Sequence, residues 1–379
     1  MIERALRHLL LRRIQDSNKV IILYGARQVG KTTLAKSLLE EMSARILQVN
    51  ADRREYLEVL SSRDLTQLKG LVEGYDWLFI DEAQRIPDIG INLKILHDQL
   101  PDLRIWVTGS SSLDLANRIK EPLTGRTWTY RLYPVSATEW QADQQLNQFE
   151  LQQQLDPLLR FGLYPEVLNQ GNFSDKRAYL TELSSAYLYK DILALGNIRY
   201  PEKLRQLLKL IAYQVGDLVS IQELANTLGI NRETVTHYLD LLEKAFIIFK
   251  LGGFSRNLRK EVVKMNKIYF HDLGIRNALI ENFNPLSERN DVGALWENFL
   301  IAERLKEIEY RQRYSNRYFW RLHSGAELDY IEERDGTLQG YEFKWRKKNA
   351  RPPESWLNAY AEATYTQVNQ SNFLSFLTR

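Results

Sequence analysis

A chain of 379 residues with 44% hydrophobic content is too long for one small core, so two or more domains are expected. Lys and Arg total 51 against 48 Asp and Glu, and the net charge of +3 neither demands nor excludes a nucleic-acid partner. The absence of Cys excludes disulfides, cysteine-ligated zinc and thiol catalysis, and fits a reducing cytoplasm.

In chain order, Ile2, Leu6, Leu9, Leu10 and Ile14 recur at helical spacing between arginines, which predicts an amphipathic helix over Met1–Ile14. No apolar run is long enough for a signal-peptide core or a bilayer span, so a soluble cytoplasmic protein with no membrane partner is expected. Strand patterns then alternate with helical ones. Lys19–Tyr24, Arg45–Val49, Asp76–Asp81, Leu103–Thr108 and Thr127–Tyr133 read as strands. Thr32–Met42, Arg53–Leu60, Leu65–Leu71 and Ile91–Leu100 read as helices. That alternation implies an α/β fold with a parallel sheet covered on both faces, over residues 1–140.

After Pro134 the pattern changes. The Gln-rich segment Gln141–Gln154 reads as an exposed helix or linker into a helical region, residues 141–215. Ser220–Leu228 and Asn231–Phe246 are two helix patterns, with Ser220 and Asn231 at N-cap positions. Strand patterns at Ile247–Leu251 and Lys267–Phe270 flank a basic loop with Arg256, Arg259, Lys260 and Lys264, so residues 216–285 read as a winged helix. Last, residues 290–379 show a helix (Trp296–Ile308), three strands (Arg317–His323, Ala326–Glu332, Leu338–Lys344) and a further helix (Pro353–Ala363), read as a separate α/β unit. Its hairpin turns fall at Ser324-Gly325 and Asp335-Gly336.

Between the first strand and helix lies Gly25-Ala26-Arg27-Gln28-Val29-Gly30-Lys31-Thr32, the spacing of a phosphate-binding loop. Its glycines let backbone N–H groups turn inward around phosphates, and the helix N-terminus adds positive potential. These eight residues with Thr33 are the candidate ATP contacts. Lys31 is expected on the β- and γ-phosphates and Thr32 on Mg²⁺. At the end of the third strand, Asp81 suits the second shell of Mg²⁺, and Glu82 suits activation of the attacking water. Ser110, after the fourth strand, is a candidate γ-phosphate sensor, with helix capping as the alternative. Arg126 is a candidate finger for the ATP of a neighbouring subunit, with a structural ion pair as the alternative. A finger would imply a homo-oligomer.

YGARQVGKTTL, LFIDEAQ, VTGSSS and LTGR together resemble the AAA+ ATPases that carry a fused C-terminal domain of unknown function, DUF4143. FGLYPEVL, YLYKDIL, KIYFHDLGIRNAL and GAELDY with YEFKW extend the resemblance over nearly the whole chain. It implies an AAA+ core, a winged helix and a C-terminal restriction-endonuclease-like fold. In one place the chain departs from it: the family usually has paired glycines before its Tyr-Pro, and here Leu163 follows Gly162.

Asp329 and the pair Glu342 and Lys344 lie on consecutive strand patterns, with Glu342 and Lys344 on one face. With Glu297 as a further ligand and Glu327 as a substitute, they resemble a PD-(D/E)xK metal site with Leu328 in place of Pro. There the carboxylates would hold the metal and Lys344 would position water. The alternative is a strand face of ordinary salt bridges. Two functions follow. One is an ATP-driven oligomer acting on DNA with a C-terminal nuclease-like module, in which Arg232, Thr234, Thr236 and His237 lie near the groove, the alternative for the winged helix being a lid or subunit contact beside the ATPase. The other is a nucleotide-gated switch whose C-terminal unit is a silent docking domain for a protein partner. A small-molecule kinase is a weaker third.

Overall fold

The computed structural model describes residues 2–51, 53–110, 122–187, 192, 198, 200–255, 265–322, 325–346 and 351–379. The basic loop residues Arg256, Arg259, Lys260 and Lys264 lie outside that set, as does most of YLYKDIL. The chain divides into two compact units, Met1–Pro134 with Lys244–Phe246, and Val135–Glu243 with Ile247–Arg379.

The first unit is an α/β layer structure. Strands β1 (Val20–Gly25), β2 (Ile46–Asn50), β3 (Trp77–Asp81), β4 (Arg104–Gly109) and β5 (Thr127–Leu132) form a sheet in the order β2-β3-β4-β1-β5. Every pairing is parallel, with Leu23 beside Thr108 and Ile80 beside Val107. All six residues of β1 are buried, as continuous apolar strands in a two-faced sheet must be. Helices α1 (Leu6–Asp16), α2 (Lys31–Leu39), α3 (Arg54–Leu60), α4 (Leu65–Val72) and α5 (Ile89–Gln99) accompany it. The N-terminal helix begins later than its periodicity suggests. Leu6, Leu10 and Ile14 form its buried stripe, and Arg4 precedes it, buried.

In the second unit the Gln-rich segment is neither one helix nor a linker. It is cut into α6 (Ala137–Asp143) and α7 (Gln148–Gln153), because Ser136/Glu139 and Asn147/Glu150 each form a reciprocal capping box. Then follow α8 (Leu155–Phe161), α9 (Pro165–Asn169), α10 (Phe173–Tyr187), α11 (Pro201–Tyr213), α12 (Ile221–Leu228) and α13 (Arg232–Lys244). A mixed sheet of seven strands runs in the order β12-β11-β10-β9-β7-β8-β6. These are β6 (Leu218–Val219), β7 (Ile248–Gly253), β8 (Asn266–Phe270), β9 (Asn316–Arg321), β10 (Glu327–Arg334), β11 (Thr337–Phe343) and β12 (Thr364–Val368). The hairpin β10–β11 closes on Asp335 and Gly336, both at positive φ (49° and 78°), as a tight primed turn requires. Parallel pairing of β7 with β9, Gly252 opposite Tyr318, makes one sheet of the strands on either side of residue 290.

Helix α14 (Leu273–Leu279) precedes α15 (Val292–Tyr310), and α16 (Glu354–Ala359) and α17 (Phe373–Thr378) close the chain. The long α15 is buried on nearly every face, including Glu303, Arg304, Lys306 and Glu307. Buried charges need partners. Arg304 meets Glu332 at 2.6 and 2.8 Å and donates to the carbonyls of Phe376 and Leu377. Lys306 meets Glu303 at 2.5 Å and donates to the Val135 carbonyl, while Glu303 also accepts from the Ala137 N–H. No described helix is long and apolar enough to cross a membrane.

Candidate functional site

The phosphate loop joins β1 to α2 at the carboxyl edge of the parallel sheet, the edge where open α/β sheets take ligands. Two of its glycines are dictated sterically. A Cβ on Gly25 would lie 2.0 Å from the Leu132 carbonyl oxygen of β5. Gly30 caps α2 at φ 95°, where a side chain is strained. Ala26 and Val29 are buried, Arg27 is half-buried, and Gln28 and Thr33 are exposed, with Gln28 at φ 58°.

Lys31 is buried, and its Nζ donates to the carbonyls of Gly25 (3.1 Å) and Ala26 (2.7 Å). Thr32, in the first turn of α2, donates to both Asp81 oxygens at 3.0 and 2.9 Å. Thr108, at the end of β4, donates to Asp81 Oδ1 and accepts from the Glu82 N–H at 3.4 Å. Glu82 stands at φ 54°, ψ 41°, a left-handed conformation that a side chain adopts at some cost. Gln84 Nε2 donates to Glu82 Oε2 and, at 2.9 Å, to the buried Ser110 hydroxyl. The structure thus brings Lys31, Thr32, Asp81, Glu82 and Ser110 together at three adjacent strand ends. A hydroxyl and a carboxylate meeting within 3 Å are hard oxygen donors of the kind Mg²⁺ takes.

Three contributors to this site were not singled out by the sequence, although Thr108 lies among the fourth-strand hydroxyls from which Ser110 was chosen. Arg4 donates to the carbonyls of Val29 (2.8 Å) and Tyr133 (2.7 Å), tying the phosphate loop to the end of β5. Its long sequence separation hides it. Thr108 and Gln84 sit inside the motif stretches VTGSSS and LFIDEAQ, where strand alternation and the Asp-Glu pair drew attention elsewhere. Arg126 lies apart: its Nε donates to Asp98 of the same chain at 2.7 Å, the ordinary ion-pair alternative.

The second cluster is real but differs from expectation. Phe343 N donates to Asp329 Oδ2 at 2.6 Å, and Lys344 pairs with Glu342 at 2.5 Å. Glu297 Oε1 accepts from Tyr269 Oη (2.6 Å) and Lys267 Nζ (3.1 Å), and Lys267 also meets Glu327 at 2.5 Å. Lys267, its side chain 3% exposed, was not foreseen. It shares a face of β8 with Tyr269, but the sequence does not show that this strand faces α15. Burial, then the charges of Glu297 and Glu342, push the Asp329 carboxyl well above the usual range. Burial likewise raises Glu297, against the pull of Lys267 and Tyr269. Burial opposes the charge on Lys267, yet Glu297 and Glu327 outweigh it and raise that group.

The residues expected at a metal site, Asp329, Glu342 and Glu297, thus share one cluster with Lys267 and Lys344. Lysine ammonium groups already engage Glu297, Glu327 and Glu342. Among the described residues, no three His, Cys, Asp or Glu side chains converge to hold a metal ion.

A phosphate loop with a Thr–Asp pair beneath it, on a five-stranded parallel sheet, defines an ATPase core of the P-loop class. The family model of an AAA domain matches residues 17–141, and two domains of unknown function follow, DUF8612 over 152–286 and DUF4143 over 292–373. The uncharacterised protein Rv2008c of Mycobacterium tuberculosis is 31% identical over 353 residues, covering 91% of this chain and 74% of its own. The chain belongs to the family of that protein, with an AAA-type ATPase domain at its N-terminal end. The uncharacterised protein MJ1544 of Methanocaldococcus jannaschii is 24% identical over 303 residues, 76% of this chain and 66% of its own. The Walker-type ATPase PABY2304 of Pyrococcus abyssi shares the fold, with a TM-score of 0.52 at 17% identity, over 74% of this chain and 96% of that one.

Proposed function

We propose that the protein is a MgATP-hydrolysing switch whose C-terminal sheet unit is a catalytically silent docking module. The observation that carries the ATPase half is the Thr32–Asp81–Thr108 network beside Lys31 and Glu82. Lys31 exchanges the carbonyls of Gly25 and Ala26 for β- and γ-phosphate oxygens. Thr32 and Asp81 would hold Mg²⁺, which would neutralise phosphate charge when bound. Glu82 takes a proton from the water that attacks the γ-phosphorus, and the bond to the β-phosphate oxygen breaks as ADP leaves.

The silent half rests on Lys267 inserted between Glu297 and Glu327, and on the Lys344–Glu342 pair. A fold can keep an ancestral arrangement without its chemistry, and this reading allows a restriction-endonuclease-like ancestry for the unit. A DNA-contacting reading keeps one supporting observation. Arg232, Thr236 and His237 are exposed on α13, while Val235, Tyr238, Leu239, Leu241 and Leu242 form its buried face. Helices α12 and α13 with β6, β7 and β8 fit a winged helix. The test pairs ATP turnover of wild type, K31A and E82Q with cleavage of linear and branched DNA by wild type and D329A. Turnover lost in both ATP-site variants, with no cleavage dependent on Asp329, is the expected result. Wild-type turnover by E82Q, or cleavage abolished by D329A, would overturn the corresponding half.

A further inference from the structure

Gln84 occupies the point where the ATP site's two least explained features meet. Glu82 leaves β3 in a left-handed conformation, and the single turn Ala83–Arg85 that follows brings the Gln84 side chain back over it. The orientation of the Gln84 amide is fixed by its neighbours. The end facing the Glu82 carboxylate and the Ser110 hydroxyl must be the NH₂, because a carboxylate only accepts. The other end follows: Gln84 Oε1 is buried, and among the described residues no donor reaches it. Buried acceptors are seldom left so, and an orphan beside a reacting group is one of the recognised exceptions.

We infer that Gln84 is a positioning residue of the ATPase, whose Nε2 ties the Glu82 carboxylate to Ser110 and so aims it at the attacking water. A hydrogen of that water points at Glu82. As the water oxygen bonds to the γ-phosphorus, its proton passes to Glu82, and the electron pair of the breaking bond stays on the β-phosphate oxygen of ADP. The released proton later leaves with phosphate or to solvent. Ser110 enters the same chain of bonds, so the candidate γ-phosphate sensor and the group that takes the proton are joined through one amide.

This inference rests on the ATPase reading, and the experiment separates the two. Turnover of the full chain with saturating Mg²⁺ is compared for wild type, Q84A, Q84E and E82Q, alongside the Kd of each for a fluorescent ATP analogue. Q84E keeps the side chain's shape and removes both donated hydrogen bonds, so it stands in if Q84A does not fold. Expected are a fall in kcat of about 10²-fold or more in Q84A and Q84E and a Kd within roughly threefold of wild type. Residues acting as a unit are non-additive, so E82Q combined with Q84A should be no slower than E82Q alone. If E82Q is inactive while Q84A turns over at the wild-type rate, the role of Gln84 is overturned and the ATP site stands. If E82Q turns over normally, the ATP-site reading itself fails. If Q84A and Q84E lose nucleotide binding together with turnover, Gln84 is a structural tie and the inference is again overturned.

Discussion

The chain contains two clusters built from the same residue types, a lysine, carboxylates and hydroxyls near strand ends, and they are wired oppositely. In the phosphate-loop cluster, Lys31 rests on two backbone carbonyls, which carry no net charge, and Asp81 is held by two hydroxyls. Neither the carbonyls nor the hydroxyls carry a formal charge, and a phosphate oxygen or a cation can take their place. In the second cluster Lys267 spans Glu297 and Glu327, and Lys344 meets Glu342. There the charges are spent on one another. Residue types at a suggestive spacing name a possible chemistry; what each charge already touches decides whether it is available.

The largest effects belong to the first cluster. K31A is expected to lower kcat/KM for ATP by at least about 10²-fold, since a preorganised donor to a developing charge is worth that much. Full hydrolysis by purified K31A would remove the ATP-site assignment. E82Q is expected to bind MgATP normally and to turn it over about 10²- to 10⁴-fold more slowly, the range of a positioned general base. A rapid-quench comparison of bound and hydrolysed nucleotide separates the two effects.

Next comes the lysine of the second cluster. K267M takes a buried ammonium from two half-buried carboxylates, one of which keeps Arg321, and should destabilise the C-terminal unit by about 1–3 kcal/mol, the cost of leaving such an acceptor short of its partner. Urea unfolding followed by the fluorescence of Trp296, Trp320 and Trp356, all buried in that unit, reads this directly. A change below about 1 kcal/mol, the scale of a surface pair, would mean that Lys267 is not the counter-ion of this cluster.

A smaller, pH-dependent effect follows from Asp329. Burial and the charges of Glu297 and Glu342 raise its carboxyl in the folded state. The folded form therefore binds the proton more tightly than the unfolded one. Its stabilising contribution is complete below the unfolded value of about 3.9 and is lost as pH rises through the raised value. D329N, which mimics the protonated form, should melt higher than wild type at neutral pH, and the gap should close on acidification below about pH 4. A gap that widens in acid would reverse the assignment.

The smallest effect is expected at Arg126. Its pair with Asp98 is partly exposed, so R126A should change stability by no more than about 1 kcal/mol. Turnover should stay within about twofold. A loss near 10³-fold would restore the finger in trans.

What was legible in the sequence was local. The buried strands KVIILY, DWLFID and LRIWVT announce themselves by composition, and the loop after the first needs only one strand and one helix for its context. Asp335-Gly336 set the register that brings Asp329 near Glu342, one step beyond the Tyr330–Tyr341 pair. What stayed hidden depends on contacts far apart in the chain. The parallel β7–β9 pairing joins segments some 60 residues apart. The same distance problem hides Arg4 beneath the phosphate loop and Lys267 among the carboxylates. The second of these changes the chemistry: without Lys267, the acidic cluster reads as a metal site, and with it the cluster is already neutralised in part.

The central claim, one cation-dependent centre per chain, is tested most directly by Mn²⁺ binding followed by electron paramagnetic resonance, with and without ATP, in wild type, T32A and D329N. A single tight Mn²⁺ that requires ATP, is lost in T32A and is unchanged in D329N is the expected result. A tight Mn²⁺ bound without ATP and abolished by D329N would contradict it.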